Sequence, residues 1–94
     1  MLPQESTSYS NLGLIESRLK RFPEAEQHLQ KAVELAPLSV SGYLNLASFY
    51  RLRQQLTDAE QVLKSGIERN PDSALLYVNW ADLLYAQEKT EAAE

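Results

Sequence analysis

The sequence predicts an all-α fold in which antiparallel helix pairs stack into a solenoid. Three observations favour it. The 94 residues contain only three Gly and four Pro, too few breaks for a succession of short strands and tight turns. Ala, Leu, Glu and Gln, all strong helix formers, are abundant. Finally, Pro37 and Pro71 lie 34 residues apart, each at the end of an amphipathic stretch, which indicates an internal repeat.

The repeat extends along the whole chain. Residues 6–39 and 40–73 align without a gap and agree at ten of 34 positions, and residues 74–94 agree with the second unit at five of 21. We therefore interpret residues 1–94 as one array, with repeat one at 6–39, repeat two at 40–73 and a partial repeat three at 74–94. The ten identities are Tyr9/Tyr43, Asn11/Asn45, Leu12/Leu46, Ala25/Ala59, Glu26/Glu60, Gln27/Gln61, Leu29/Leu63, Glu34/Glu68, Pro37/Pro71 and Ser39/Ser73.

Each unit is expected to contain two helices, since apolar residues recur at i, i+3, i+4 and i+7. The predicted pairs are 7–20 with 23–36 and 40–53 with 57–70, followed by a helix at 74–88 and a truncated sixth helix capped by Thr90 and Glu91. Pro23 suits the first turn of a helix, and Thr57 followed by Glu60 is a capping-box signal. Ser39 and Ser73 are predicted to cap the helices that follow them.

The pattern resembles the tetratricopeptide repeat, a 34-residue helix pair with small residues where the two helices touch. The resemblance implies a right-handed superhelix. The sequence departs from the family pattern at Glu16 and Leu84, where a Tyr is usual. It also departs at Thr90, since the other two units have Phe22 and Leu56 at this position. The matching residues are Tyr9, Leu12, Gly13, Ala25, Leu29, Ala32 and Pro37 in unit one, Tyr43, Leu46, Ala47, Tyr50, Ala59, Leu63, Gly66 and Pro71 in unit two, and Tyr77, Trp80, Ala81 and Ala93 in unit three.

The incomplete third unit suggests a piece of a longer array. A repeat cannot bury its apolar face alone, so Leu76, Trp80, Leu83 and Leu84 are expected to remain partly uncovered. We expect such a surface to favour a homo-oligomer or exchange of the terminal helix between copies.

In the tetratricopeptide family the first helix of each pair lines a concave groove that binds an extended peptide or a partner helix. The resemblance implies that Asn11, Asn45 and Asn79, at one position of the repeat, form a row of amides able to bond a ligand's backbone. The alternative is that these amides bond neighbouring helices. The remaining groove candidates are Leu14, Arg18, Leu44, Ser48, Arg51, Val78, Asp82 and Tyr85.

Some family members bind the acidic C-terminal tails of chaperones through a clamp of Lys, Arg and Asn side chains. This chain keeps only Asn45 of that clamp. The other clamp positions hold Ser10, Leu14, Leu75 and Asn79, none of them cationic. Binding of chaperone tails is therefore not expected.

Composition and charge exclude several other functions. There is no Cys, and the net charge of −4 disfavours nucleic acid as a partner. No signal peptide or membrane-spanning run is expected, and localisation stays open. His28, the only histidine, is expected on a solvated helix face, where Glu24 and His28 are too few ligands for a metal. No cofactor and no enzymatic activity are predicted.

The sequence thus predicts a non-catalytic protein–protein interaction scaffold with a peptide-binding groove. The alternative is a structural spacer or self-assembly module within a larger protein, including an accessory array attached to an enzyme. Because fold alone does not fix function, the choice depends on the surface that the helices form.

Overall fold

The protein is described by a computed structural model that covers the backbone of residues 3–93 and the side chains of residues 5–88. The described backbone contains no strand, which confirms the all-α prediction. No helix in this part of the chain is long and apolar enough to cross a membrane. The five helices are α1 (Pro3–Arg18), α2 (Phe22–Leu35), α3 (Val40–Leu52), α4 (Leu56–Arg69) and α5 (Ala74–Ala93).

The helices pack as successive pairs in one thin layer. Helix α1 packs on α2, α3 packs on α4, and α5 packs against α4 and α3. The Cα atoms span 45 × 33 × 14 Å, so the protein is a slab rather than a sphere. Its core is a single cluster of side chains between the pairs, in which Leu29, Leu63, Leu76 and Leu83 are the largest that are fully buried.

Small residues allow the two helices of a pair to approach closely, as the repeat pattern predicts. Ala25 and Ala59 are fully buried at these crossings. A Cβ atom added to Gly13 would lie 2.6 Å from Leu29 Cγ, a distance that real Cβ atoms do not tolerate. Ala81, at the equivalent position of α5, is exposed. The difference arises because no further described helix packs against it.

The turns that join the helices of the first two units have one shared geometry. Lys20 and Gln54 both have φ of 63°, the left-handed conformation that normally favours Gly. In each turn the next residue donates its backbone N–H back into the helix, from Arg21 to Glu16 and from Gln55 to Tyr50, both at 2.8 Å. This is the Schellman arrangement, which satisfies the last carbonyl groups of α1 and α3.

Two of the predicted helix caps form no capping hydrogen bond. Helix α4 begins at Leu56, so Thr57 lies inside its first turn and the predicted capping box is wrong. Ser39 does occupy the N-cap position of α3, as predicted, but its hydroxyl bonds that of Ser41 at 3.1 Å and not a backbone N–H. The carboxylate of Glu60, the presumed partner of Thr57, accepts a hydrogen bond from the Trp80 indole N–H at 3.1 Å instead. Ser73 does accept the N–H of Leu76, at 3.5 Å.

The predicted break between α5 and a sixth helix is also wrong. Helix α5 continues through residue 88, the position equivalent to Lys20 and Gln54, as far as Ala93. A left-handed residue costs about 1–2 kcal/mol. In the first two turns Phe22 and Leu56 pack on the core just after the turn and offset this cost. The sequence has Thr90, a smaller and polar residue, at the equivalent position. The side chains of Thr90, Glu91 and Ala93 lie outside the described residues.

Burial differs from the expectation for the third unit. Leu76 and Leu83 are 0% and 1% exposed, because they face α3 and α4, and the expectation that they remain uncovered is wrong. Trp80 is half-buried and Leu84 is 43% exposed, as expected.

Replacing Gln54 with Gly is expected to stabilise the protein by about 1 kcal/mol, because Gly adopts the left-handed conformation without the clash of a Cβ atom. For a domain of this size the melting temperature would rise by about 4–8 °C in calorimetry or thermal circular dichroism. Gln54→Ala is the matched control, since Ala keeps the Cβ clash and should give no such increase. A melting temperature lowered by Gly but not by Ala would contradict the left-handed conformation of Gln54.

Candidate functional site

Two grooves are formed mainly by α1, α3 and α5, the first helices of the three units. We call the groove between α1 and α3 the serine groove; its volume is about 320 Å³. Five hydroxyl groups and two amides dominate its surface. Its lining residues are Ser6, Thr7, Ser10, Asn11, Ala36, Ser39, Ser41 and Asn45.

The second groove lies between α3 and α5 and is larger, about 540 Å³; we call it the arginine groove. It combines one cation with apolar side chains, so its chemistry differs from that of the serine groove. Its lining residues are Ser48, Arg51, Leu52, Gln54, Leu56 and Ala86. A narrow crevice beside it is lined by Asn79 together with Ser48 and Arg51.

The three asparagines do not form one continuous row. Asn11 and Asn45 line the serine groove together, whereas Asn79 lies in the crevice beside the arginine groove. Asn79 donates a hydrogen bond at 2.9 Å to the carbonyl oxygen of Leu75, one turn earlier in α5. Within the described residues 5–88, no side-chain hydrogen bond engages the amides of Asn11 and Asn45. These two amides therefore remain free to bond a ligand.

Of the other candidates, only Ser48 and Arg51 line a groove. Leu44 packs partly against the core. The remaining five are exposed on the outer surface of α1 or α5, outside the lining of the two grooves and the crevice. They are Leu14, Arg18, Val78, Asp82 and Tyr85.

Several groove residues were not among the sequence candidates. Ser6 and Ser39 line the serine groove, and Gln54 and Leu56 line the arginine groove. The sequence pattern predicts a capping role for Ser39. Gln54 lies in a turn, whereas the candidates were chosen from the first helices. The hydroxyl-rich run at residues 6–10 was the signal that could have identified the serine groove.

His28 is not on a solvated face, contrary to the sequence prediction. Its Nδ1 atom lies 2.5 Å from Oε1 of Glu16, and the two side chains are 29% and 12% exposed. The Tyr9 ring stacks on the imidazole with 5.8 Å between the ring centroids. The reason is that α1 lies directly across α2. Glu16 replaces the usual Tyr of the repeat and joins the two helices through a polar contact.

Hydrogen bonds also connect neighbouring units. The Tyr50 hydroxyl donates to Oε2 of Glu26 at 2.6 Å and accepts from the side-chain amide of Gln30 at 3.0 Å. Burial raises the pKa of Tyr50 to about 12, and the hydrogen bond to Glu26 acts in the same direction. Burial also raises the pKa of Tyr43, against an opposing contribution from Arg69.

A single layer of helix pairs with grooves between its first helices defines a helical-repeat protein. The family model of the tetratricopeptide repeat matches residues 18–78, from the end of α1 into α5. The chain belongs to the tetratricopeptide repeat family. Proteins of this family generally bind other proteins and are typically not enzymes. No curated protein matches the chain.

The raised pKa of Tyr50 predicts a loss of stability at alkaline pH. The folded state holds the phenolic proton more tightly than the unfolded state, whose pKa is about 10. The stabilisation is therefore complete below pH ~10 and is lost as the pH rises to about 12, a change of about 2 kcal/mol. Urea denaturation across this range would measure it. Tyr50→Phe should make the fall shallower and leave only the contribution of Tyr43; equal slopes in both proteins would contradict this explanation.

Proposed function

We propose that this protein is a non-catalytic protein–protein interaction module whose serine groove binds an extended peptide. The observation that carries the proposal is the pair of unbonded amides, Asn11 and Asn45, within a groove lined mostly by hydroxyl groups. The tetratricopeptide family assignment supports a protein ligand.

The chemistry of the groove favours a peptide backbone as the ligand. Each amide presents a donor and an acceptor, as the peptide group of a ligand does. The hydroxyl of Ser6 already donates to the carbonyl oxygen of Ala32 and can only accept from a ligand. An extended segment has unpaired N–H and C=O groups, whereas a helix has used its own and docks through apolar side chains. A polar groove therefore suits an extended segment better than a partner helix.

The grooves offer no constellation for catalysis in the part of the chain that the structure describes. His28 is paired with Glu16 between α1 and α2, and it lines neither groove. Among the described residues no group of three or more His, Cys, Asp or Glu side chains is placed to hold a metal ion. The proposal accordingly contains binding steps only.

Asn45→Ala is expected to weaken peptide binding by about threefold to tenfold, since a hydrogen bond contributes about 0.5–1.5 kcal/mol. A peptide array would supply the ligand, and fluorescence anisotropy of the best peptide would measure affinity. Gln61→Ala, an exposed change on α4 and outside the serine groove, is the control and should bind like the parent protein. If Asn45→Ala and the control bind equally well, the serine groove is not the binding site.

A second candidate function, self-assembly, is favoured by the apolar outer faces of the two terminal helices. Leu12 and Ile15 on α1, and Leu19 directly after it, are between 41% and 60% exposed. On α5, Tyr77 and Leu84 are exposed as well. Apolar side chains grouped on one helix face are typical of a surface that another protein surface covers.

Self-assembly predicts that the molar mass from light scattering rises above that of the monomer as the concentration increases. Leu12→Gln combined with Ile15→Gln should return the molar mass to 10.7 kDa, because both changes remove apolar area from the contact. A parent protein that remains monomeric at high concentration would exclude self-assembly through these faces. It would leave the peptide-binding proposal unaffected.

A further inference from the structure

The cations of this acidic protein are concentrated in the two turns that join the helices of a unit. Five of its nine Lys and Arg residues lie at the ends of α1 and α3 and in the turns that follow. We call this set the basic edge. It comprises Arg18, Lys20, Arg21, Arg51 and Arg53.

The two turns form one continuous edge. The guanidinium carbon of Arg53, in the second turn, lies 4.3 Å from the centroid of the Phe22 ring, which directly follows the first turn. It also lies 5.9 Å from the Phe49 ring, so a cation–π contact holds it in place. Arg51 lines the arginine groove, and this places the groove directly at the basic edge.

The cations of the basic edge have no ionic partner within the described residues, where the sole ion pair joins His28 and Glu16. All five are exposed. Glu24 and Asp58, in the first turns of α2 and α4, and Glu88, at the position of α5 equivalent to the two turns, bring three carboxylates towards the same edge, so positive charge remains in excess. Attraction to the helix dipole explains a cation in the last turn of α1 and of α3, but not the three that lie beyond the helices.

The arginine groove adds apolar surface to this charge. Leu52 is 80% exposed, and Leu56 and Ala86 are half-buried in the same groove. An exposed leucine beside a cation suits a ligand that offers an apolar side chain and a carboxylate close together. The lining contains no aromatic ring on which a nucleic-acid base could stack.

We propose that the arginine groove and the basic edge bind an acidic peptide segment that carries apolar residues between its carboxylates. The inference rests on the proposed peptide-binding function but assigns a second groove and a ligand charge to it. The carboxylates bond the guanidinium groups of Arg51 and Arg18, and the apolar side chains lie against Leu52 and Leu56. Electrostatic attraction across the edge also accelerates the encounter.

The test uses a fluorescein-labelled peptide of alternating Glu and Leu, with anisotropy as the readout. A peptide with Gln in place of every Glu should bind at least about fivefold more weakly, and added salt should weaken binding of the Glu peptide. The double variant Arg18→Gln with Arg51→Gln should lose about fivefold in affinity for the Glu peptide. Circular dichroism of each variant checks that the helices are intact.

Lys31→Gln combined with Arg69→Gln is the matched control, because it removes the same charge from exposed sites outside the basic edge. It should change affinity by less than about twofold. Three results would overturn the inference: equal binding of the Gln peptide, an equal loss in the control, or tighter binding of a single-stranded oligonucleotide. If one of these results overturns the inference but Asn45→Ala still weakens binding of the array peptides, the proposed function of the serine groove stands without it.

Discussion

The close crossing of the two helices within a unit is the constraint on which the structure depends. At Gly13 and Ala25, and again at Ala47 and Ala59, the side chains are small enough for the helices to approach and for Leu29 and Leu63 to become fully buried. A larger residue at such a crossing would overpack the pair by about 1–3 kcal/mol. The overall shape depends on this close packing of the two helices, since only closely packed pairs can stack as a single layer 14 Å thick.

The stacking of helix pairs in one layer also produces the two grooves. Because the apolar side chains face the interior between α2, α3 and α4, the outer sides of the first helices are relieved of core packing and can be polar. On these sides the serine groove has hydroxyl and amide groups, and the arginine groove has Ser48 and Arg51. The two grooves share α3 but differ in chemistry, so neighbouring positions along one surface present different chemical groups.

The sequence predicted the features that repeat and failed where a single side chain departs from the repeat. Helix pairs, small crossing residues and proline ends follow from local preferences that recur every 34 residues. The contact of Glu16 with His28 could not be read from the sequence, because it depends on how α1 lies across α2. The capping box at Thr57 failed for a similar reason, since α4 begins where Leu56 can pack rather than where a hydroxyl is available. The continuity of α5 reflects the absence of that packing residue at Thr90.

The contacts of Glu26 and Glu60 have a consequence for how units can be combined. These carboxylates occupy equivalent positions, and each accepts a hydrogen bond from an aromatic side chain of the following unit, Tyr50 or Trp80. A directional bond is satisfied only at one angle between neighbours, unlike a purely apolar contact. Each of these hydrogen bonds therefore helps to set the angle between two neighbouring units. A unit moved into another array would keep its orientation only if the neighbouring unit supplied the matching donor or acceptor.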